Sequence, residues 1–234
     1  MSTLADQLVT ANHVLANEGV IRGFGHVSTR EPGSDTFLIS RSRSPGMVEP
    51  SDILEVSLSG EVVSDDSDVE TYSETVIHRS IYEQRDDVGA VVHHHADEIM
   101  PFTCSETELR PVFRRAAQFH EGIPEFSDYD ELRGQLIATD AEGRRMAKNL
   151  GDCRAQILMG HGANVVGTDV KRAVLSTLDM RMNAEYQSEA EQLGNPIYYD
   201  RSREATESYL DRIFSDSSVN RKWEYLVNKL DDRS

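Results

Sequence analysis

The chain has 234 residues, 38% of them hydrophobic, and no apolar run approaches the roughly 20 residues that a membrane-spanning helix needs. Its 41 acidic residues outnumber its 24 basic residues and give a formal charge of -17, which disfavours nucleic acid as a partner because phosphates need a basic surface. Cys104 and Cys153 are too few for a disulfide framework. These properties predict one domain in a reducing cytoplasm, with a small molecule as its partner and no contact with a membrane.

The acidic residues are spread along the chain, and only four residues are lysine. High net charge keeps a protein soluble when salt screens its electrostatic repulsion. This composition indicates a halophilic host with a salt-rich cytoplasm, and an ordinary acidic protein is the alternative.

The predicted elements follow from hydrophobic periodicity and from the turn residues between the apolar runs. An opening helix is predicted over residues 5–18, followed by a meander of short strands over 27–30, 36–40, 53–57 and 61–63. A helix over 74–84 then precedes a strand over 88–93. The rest of the chain predicts a helix over 132–150, a strand over 156–159, and helices over 170–193 and 203–230, the last with interruptions. This order favours a central, mainly antiparallel sheet with helices on its faces.

Histidines mark the ends of two predicted strands. Side chains along a strand alternate between its faces, so His93 and His95 point the same way and His94 points away. His161 lies in a Gly-His-Gly turn after the second strand, where glycines permit a close approach of the backbone. Three imidazoles with an open position suit zinc or a similar divalent ion. A hydrogen-bonded core cluster or a solvated surface run is the alternative.

Five separated segments together resemble the class II aldolase/adducin family, which includes fuculose-phosphate and rhamnulose-phosphate aldolases. The resemblance implies a single three-layer α/β/α domain with a core over about 5–195 and a C-terminal helical extension over about 196–234. It also implies a homotetramer with active sites at the subunit boundaries. The segments that carry the resemblance are Gly23–Ser28, Phe37–Pro45, Ser73–Tyr82, Asp87–His95 and Gly160–Gly162.

The resemblance also assigns the metal ligands. It implies that His93, His95 and His161 bind a divalent cation, most often Zn²⁺, with Mn²⁺, Fe²⁺ and Co²⁺ as further possibilities. Glu74 falls where the family places a carboxylate that binds the metal at rest and acts as a general base during turnover. A solvated glutamate in the first turn of a helix is the alternative for this residue.

The chain departs from the sugar-phosphate enzymes where those enzymes hold a phosphate. His26 replaces an asparagine, a Ser-Gly pair is replaced by the segment Arg41–Ser44, and Ser73 alone remains of the serines before the acidic residue. An arginine fork and a histidine suit a planar carboxylate. We therefore expect a small hydroxylated carboxylic acid as the substrate, although the arginines could instead be surface residues. The expected substrate-binding residues are Gly25, Arg41, Arg43 and Ser73.

The segments Gly25–Ser28, Ser40–Pro45 and Leu109–Phe113 are similar to a branch of the family that decarboxylates hydroxylated aromatic or muconate-type acids. Arg114 stands where that branch usually has a histidine. Both aldol cleavage and decarboxylation leave an enolate, which a cation stabilises, and His26 could donate a proton after decarboxylation. The sequence predicts a metal-dependent carbon-carbon lyase, and a sugar-phosphate aldolase or a non-catalytic adducin-like interaction domain is the alternative. The sugar-phosphate aldolases also use a tyrosine as proton donor, and the sequence does not assign Tyr198, Tyr199 or Tyr209 to that role.

Overall fold

A seven-stranded sheet lies at the centre of the computed structural model, which describes residues 3–63, 69–130 and 134–231. Its strands run in the order β3-β2-β1-β4-β7-β6-β5, and every neighbouring pair is antiparallel except β5 and β6. The predicted mainly antiparallel sheet is thereby confirmed. The strands are β1 His26–Thr29, β2 Thr36–Ser40, β3 Ile53–Ser57, β4 Ala90–His94, β5 Glu125–Phe126, β6 Ala155–Leu158 and β7 Gly162–Gly167.

Helices pack on both faces of the sheet and complete the three-layer α/β/α arrangement. One face is covered by α1, α5 and α7, and the other by α2 and α4. Alternation along β4 serves both layers, because Val92 belongs to the first core and Val91 to the second. The helices are α1 Leu4–Asn17, α2 Thr75–Gln84, α3 Met100–Thr103, α4 Asp140–Leu150, α5 Val170–Leu193, α6 Arg203–Ile213 and α7 Asp216–Asp231, and short 3-10 helices span Pro45–Met47, Pro50–Asp52 and Arg114–Phe119.

The helix predicted over 132–150 begins later, at Asp140, and positions 132 and 133 lie outside the described residues. Thr139 caps the helix by accepting a hydrogen bond from the Glu142 amide. The buried Glu142 carboxylate in turn accepts bonds from the backbone amides of Asp130, Ala138 and Thr139. These contacts keep Ala138 and Thr139 out of the helix, because their amides bond to a side chain and not to a helical carbonyl.

Several further elements differ from the predictions, and neither β5 nor α3 was predicted. Strand β7 was missed because its glycines and asparagine hide the apolar pattern that a strand usually shows. The strand predicted over 61–63 is reduced to one bridge, between Val56 and Val62. The predicted interruption of the last helix falls between α6 and α7. The division into a core over 5–195 and an extension over 196–234 stays a prediction.

None of the helices in the described part of the chain combines the length and the apolar character that crossing a membrane requires.

Candidate metal centre

Three histidines and one glutamate meet at the end of the central strand. His93 lies in β4, His95 directly follows the end of that strand, and His161 lies in the turn from β6 to β7. Glu74 occupies the N-cap position of α2, but its side chain makes no capping hydrogen bond. One ligand atom from each of the four residues lies within 4.8 Å of the others. The structure thus brings together the four predicted ligands, which we call the four-donor cluster.

The spacing of these ligand atoms fits a divalent cation. Tetrahedral zinc with bonds of about 2.0–2.1 Å to nitrogen and oxygen needs donors about 3.3 Å apart. The distance from His93 Nε2 to His95 Nε2 is 3.0 Å, and Glu74 Oε1 lies 3.4 Å from His161 Nε2. The distance from His93 Nε2 to Glu74 Oε2 is 3.7 Å. Three ring nitrogens and a carboxylate therefore surround a space of the right size.

Two glycines allow the backbone to approach the histidine strand. A Cβ on Gly162 would lie 2.4 Å from the His94 carbonyl oxygen and 2.7 Å from His95 Cδ2. Gly25 has a φ of +113°, and a Cβ there would lie 3.0 Å from the His93 carbonyl oxygen. Side chains at these two positions would push the neighbouring strands away from the ligands.

A buried amide network orients His93. Asn164, opposite His93 in the β4–β7 pair, has its Oδ1 2.8 Å from His93 Nδ1. The Asn164 amide nitrogen donates to Gln156 Oε1 and the Met146 sulfur, which leaves its oxygen as the acceptor for His93. The proton of His93 therefore sits on Nδ1, and the lone pair on Nε2 faces the other ligands. Sequence reasoning missed Asn164, because β7 was not predicted as a strand and its pairing with β4 was therefore unknown.

The ionisation states suit a cation. Burial acts to raise the pKa of Glu74, but the surrounding histidines outweigh it and hold that pKa well below its usual range. Burial lowers the pKa of His93 well below its ordinary value and lowers the pKa of His95 to about 4. One ionised carboxylate and neutral imidazoles are the forms that bind a divalent ion.

A cavity of about 790 Å³ adjoins the cluster. His95, His161 and Glu74 form part of its wall. Phe24 and Leu136, which sequence reasoning also missed, add apolar surface and are 82% and 38% exposed. The remaining wall residues are Arg22, Gly23, Gly25, His26, Ser42, Arg43, Ser44, Tyr72 and Ser73.

The two predicted arginines differ in position. Asp52, which is almost fully buried, pairs with both: Arg41 Nε lies 2.5 Å from its Oδ1, and Arg43 Nη1 lies 2.8 Å from its Oδ2. Arg43 lines the cavity and Arg41 does not. The Arg41 side chain is 45% exposed. Of these two arginines, the structure therefore brings only Arg43 to the cavity, and Arg41 pairs with the same carboxylate outside it.

His26 and Ser73, the other predicted site residues, both reach the cavity. His26 is buried, its ring stacks on His93 at a centroid distance of 4.9 Å, and its Nε2 lies 3.9 Å from Glu74 Oε2. His94 points away from the cluster, as expected, and is fully buried. Burial lowers its pKa to about 3.

The tyrosines left without a role in the sequence lie on other surfaces of the described chain. Tyr198 and Tyr199 line a separate cavity, and Tyr209 accepts a hydrogen bond from Arg114 Nε at 3.0 Å. In the described part of the chain, these tyrosines are not part of the four-donor cluster or its cavity.

Comparison with known proteins agrees with the fold and with the cluster. The family model described as "Class II Aldolase and Adducin N-terminal domain" matches residues 6–188. The chain belongs to this family. Class II aldolases use a divalent metal ion, and the four-donor cluster is able to hold one.

Members of the class II aldolase family with different chemistries resemble this chain. It is 28% identical to "Decarboxylase tropJ" of Talaromyces stipitatus over 195 residues, which cover 77% of the chain and 73% of the relative. It is 29% identical to 3,4-dihydroxyphthalate decarboxylase of Arthrobacter keyseri over 192 residues, which cover 75% and 73%. The structure of L-fuculose 1-phosphate aldolase from Glaciozyma antarctica has the same fold, with a TM-score of 0.79, 20% identity, and coverage of 98% and 88%. The two decarboxylases are lyases, which supports a lyase role.

Proposed function

We propose that the protein is a metal-dependent carbon-carbon lyase that decarboxylates a small hydroxylated carboxylic acid. The observation that carries this proposal is the four-donor cluster, which opens into a cavity whose wall also bears Arg43 and His26. The cluster suits cleavage next to a carbonyl, and the arginine suits a carboxylate. Similarity to two decarboxylases supports the same choice.

Zn²⁺ is the cofactor that we propose, because a set of three imidazoles and one carboxylate at tetrahedral spacing suits it, although Mn²⁺, Fe²⁺ and Co²⁺ accept the same donors. When bound, the cation would supply Lewis-acid stabilisation of the enolate oxygen. His93, His95, His161 and Glu74 would hold it.

Arg43 would orient the carboxylate of the substrate. Asp52 fixes one end of its guanidinium, and the side chain remains a quarter exposed on the cavity wall. The hydroxyl of Ser73 and the backbone at Gly25 lie on the same wall and would add hydrogen bonds. Arg41 would act indirectly, by helping to hold Asp52 in place.

Glu74 and His26 would handle protons. Glu74 is ionised in the resting site and would accept a proton from a substrate hydroxyl once the substrate draws it away from the histidines. His26 would present a ring N–H to the oxygen or carbon on which negative charge develops.

A substrate screen with two matched variants tests the proposal. Hydroxylated aromatic and aliphatic acids would be incubated with chelator-treated enzyme and with the same enzyme after Zn²⁺ is restored. We expect carbon dioxide release only in the presence of metal. Arg43→Ala should lower kcat/KM for carboxylates by roughly 100-fold, as loss of a bidentate charged contact does, and Arg41→Ala should cost less. Equal turnover with and without metal would remove the cation from the mechanism.

A sugar-phosphate aldolase is the second candidate. Ser42, Ser44 and Ser73 place three hydroxyls along the cavity wall, and small hydroxyls suit a phosphate. Aldehyde release from a ketose phosphate, with little effect of Arg43→Ala, would favour this activity. Absence of stoichiometric metal from protein purified without chelator would instead favour an adducin-like interaction domain.

The assembly and the setting of the enzyme are also proposals. We propose a homotetramer in a salt-rich cytoplasm, and light scattering across a range of salt concentrations would test the oligomeric state. The exposed Leu193 and Ile197 side chains, at 91% and 88%, lie along one surface groove with Tyr186, and an exposed apolar patch of this kind supports association. The even distribution of acidic residues along the chain supports the proposed salt-rich cytoplasm.

A further inference from the structure

A chain of buried hydrogen-bonding groups runs from the cavity into the core behind His26. His26 Nδ1 lies 2.6 Å from His78 Nε2, and His78 Nδ1 lies 2.6 Å from Ser28 Oγ. Ser28 Oγ lies 2.7 Å from the Tyr82 hydroxyl. All four side chains are at most 3% exposed. Ser28 comes from β1, while His78 and Tyr82 lie one turn apart on α2.

Each link in this chain holds one proton, so the direction of donation can be deduced. Burial lowers the pKa of His78 well below its ordinary value, so its ring is neutral and carries one N–H. Burial raises the pKa of Tyr82, so the phenol keeps its proton. The Val91 backbone also contacts the phenol oxygen and lowers the pKa of Tyr82, so it is a donor there, and Ser28 Oγ is the acceptor for the Tyr82 proton among the described residues. Tyr82 therefore donates to Ser28, since a buried donor without an acceptor is strongly disfavoured.

The remaining directions follow from this first one. Ser28 accepts from Tyr82 and donates its own proton to His78 Nδ1. The single proton of His78 then sits on Nε2 and is donated to His26 Nδ1. Because His26 Nδ1 is an acceptor, a neutral His26 carries its proton on Nε2, the nitrogen near Glu74.

We propose that His78, with Ser28 and Tyr82 behind it, fixes His26 as the Nε2–H tautomer, so that His26 is a hydrogen-bond donor toward the cavity and not an additional ligand of the cation. His78 is thus a positioning residue. The opposite tautomer would turn the Nε2 lone pair toward the four-donor cluster, to which His26 does not belong. Donation to the substrate rests on the proposed function, whereas the tautomer does not.

The tautomer can be measured directly in the full-length protein. Magic-angle-spinning NMR of protein with isotope-labelled histidine nitrogens separates protonated from unprotonated ring nitrogens, and His26→Gln identifies the His26 signals. In the metal-free, substrate-free protein we expect His26 Nε2 to be protonated and Nδ1 unprotonated. After addition of ZnCl₂, His26 Nε2 should keep its proton. A protonated Nδ1 in the metal-free protein, or coordination of Zn²⁺ by His26, would overturn the proposal.

Two substitutions at one position test the role of His78. His78→Leu removes the donor, so the His26 signals should change from almost one tautomer to a mixture of both. His78→Gln places an amide N–H near the former Nε2 and should keep the original tautomer. His120→Leu, at an exposed position, is the matched control and should change nothing. An unchanged His26 spectrum in His78→Leu would refute the positioning role, and if that variant does not fold, loss of the tautomer in His78→Gln would refute it.

This experiment separates the two proposals. Failure to find lyase activity would leave the tautomer measurement intact, because no substrate is added. An enzyme that is active but has the opposite tautomer would retain the proposed function and lose only this inference.

Discussion

Asp179 and Glu74 are both buried carboxylates, on helices that pack against opposite faces of the sheet, and their surroundings differ. Both oxygens of Asp179 are engaged, by Arg115 Nε at 3.0 Å and by Lys222 Nζ at 2.8 Å and Gln118 Nε2 at 3.1 Å. Glu74 faces three imidazoles of the four-donor cluster, and its Oε1 has no hydrogen-bond partner within the described residues.

The difference distinguishes a structural group from a binding group. Permanent cations satisfy Asp179, so it ties the Arg114–Phe119 segment to α5 and α7. Among the described residues no arginine or lysine pairs with Glu74 in that way, and its unpartnered oxygen in the four-donor cluster is able to bind a cation. Burial and charge alone do not distinguish Asp179 from Glu74, whereas the partners of their carboxylate oxygens do.

The largest expected effect is on metal content. His161→Ala should weaken Zn²⁺ binding by more than the roughly 10–100-fold that loss of an outer-sphere partner costs, because it removes a donor atom itself. Elemental analysis after equilibrium dialysis would measure this, and His120→Ala should bind as the wild type does. A full complement of metal in His161→Ala would contradict the assignment of this ligand.

At Asp179 we expect the opposite result, a loss of stability with no change in metal content. Asp179→Ala leaves Arg115 and Lys222 facing each other, and both are 26% exposed. Breaking a fully buried ion pair costs about 3–5 kcal/mol, and this partial exposure reduces the expected loss to about 2–3 kcal/mol. Urea unfolding would measure the free energy, with metal content unchanged. Asp216→Ala, which breaks a surface pair with Arg172, should cost at most about 1 kcal/mol.

Asn164 lies in the sheet and contacts a ligand of the metal centre. Its substitution should therefore have an effect between those of the two preceding variants. Asn164→Ala removes the acceptor that orients His93 and should weaken metal binding by roughly 10–100-fold. Asn183→Ala is the control, because Asn183 is also a buried asparagine but bonds to the backbone at Val112 and Arg110. Isothermal titration with Zn²⁺ would compare the two, and equal affinities would show that the Asn164–His93 bond does not orient the ligand.

A smaller, gradual effect is expected from pH in the metal-free protein. The pKa of His94 is lowered from 6.5 to about 3, and that of His95 to about 4, by burial. Between these values and 6.5 the unfolded chain binds more protons than the folded one, so the free energy of unfolding should fall as pH falls. Denaturant unfolding from pH 7 to pH 4 would show this slope. His94→Leu should flatten it, and a slope of unchanged size would indicate that other groups dominate.

Alternation along β4 was sufficient to predict that His93 and His95 share a face and that His94 does not. This worked because the apolar residues before the histidines define a strand, and a strand has only two faces. Asn164 could not be assigned in the same way, since its role depends on the register that pairs it with His93. A single sequence carries no signal for that register when β7 contains glycines.

The arginines illustrate a different limit. Arg41 and Arg43 are two residues apart, but the segment after β2 is not a strand, so their spacing does not determine their direction. Asp52 determines the direction of both side chains by accepting a hydrogen bond from each. It lies outside this segment, and nothing in the surrounding sequence marks it as their partner. The hydrogen-bonding groups behind His26 likewise come from both β1 and α2. They can be identified only once the packing of the helix against the sheet is known.

Every residue of β4 is buried, and the strand pairs on both sides along its length. His93 therefore belongs to the part of the molecule whose amide hydrogens should exchange with solvent most slowly, and His95 follows it directly, so local opening should seldom disturb these two ligands. The opposing wall of the cavity comes from connecting segments around Phe24, Arg43 and Leu136. Substitutions in those segments can therefore change which molecules the cavity accepts without altering the positions of the four-donor cluster.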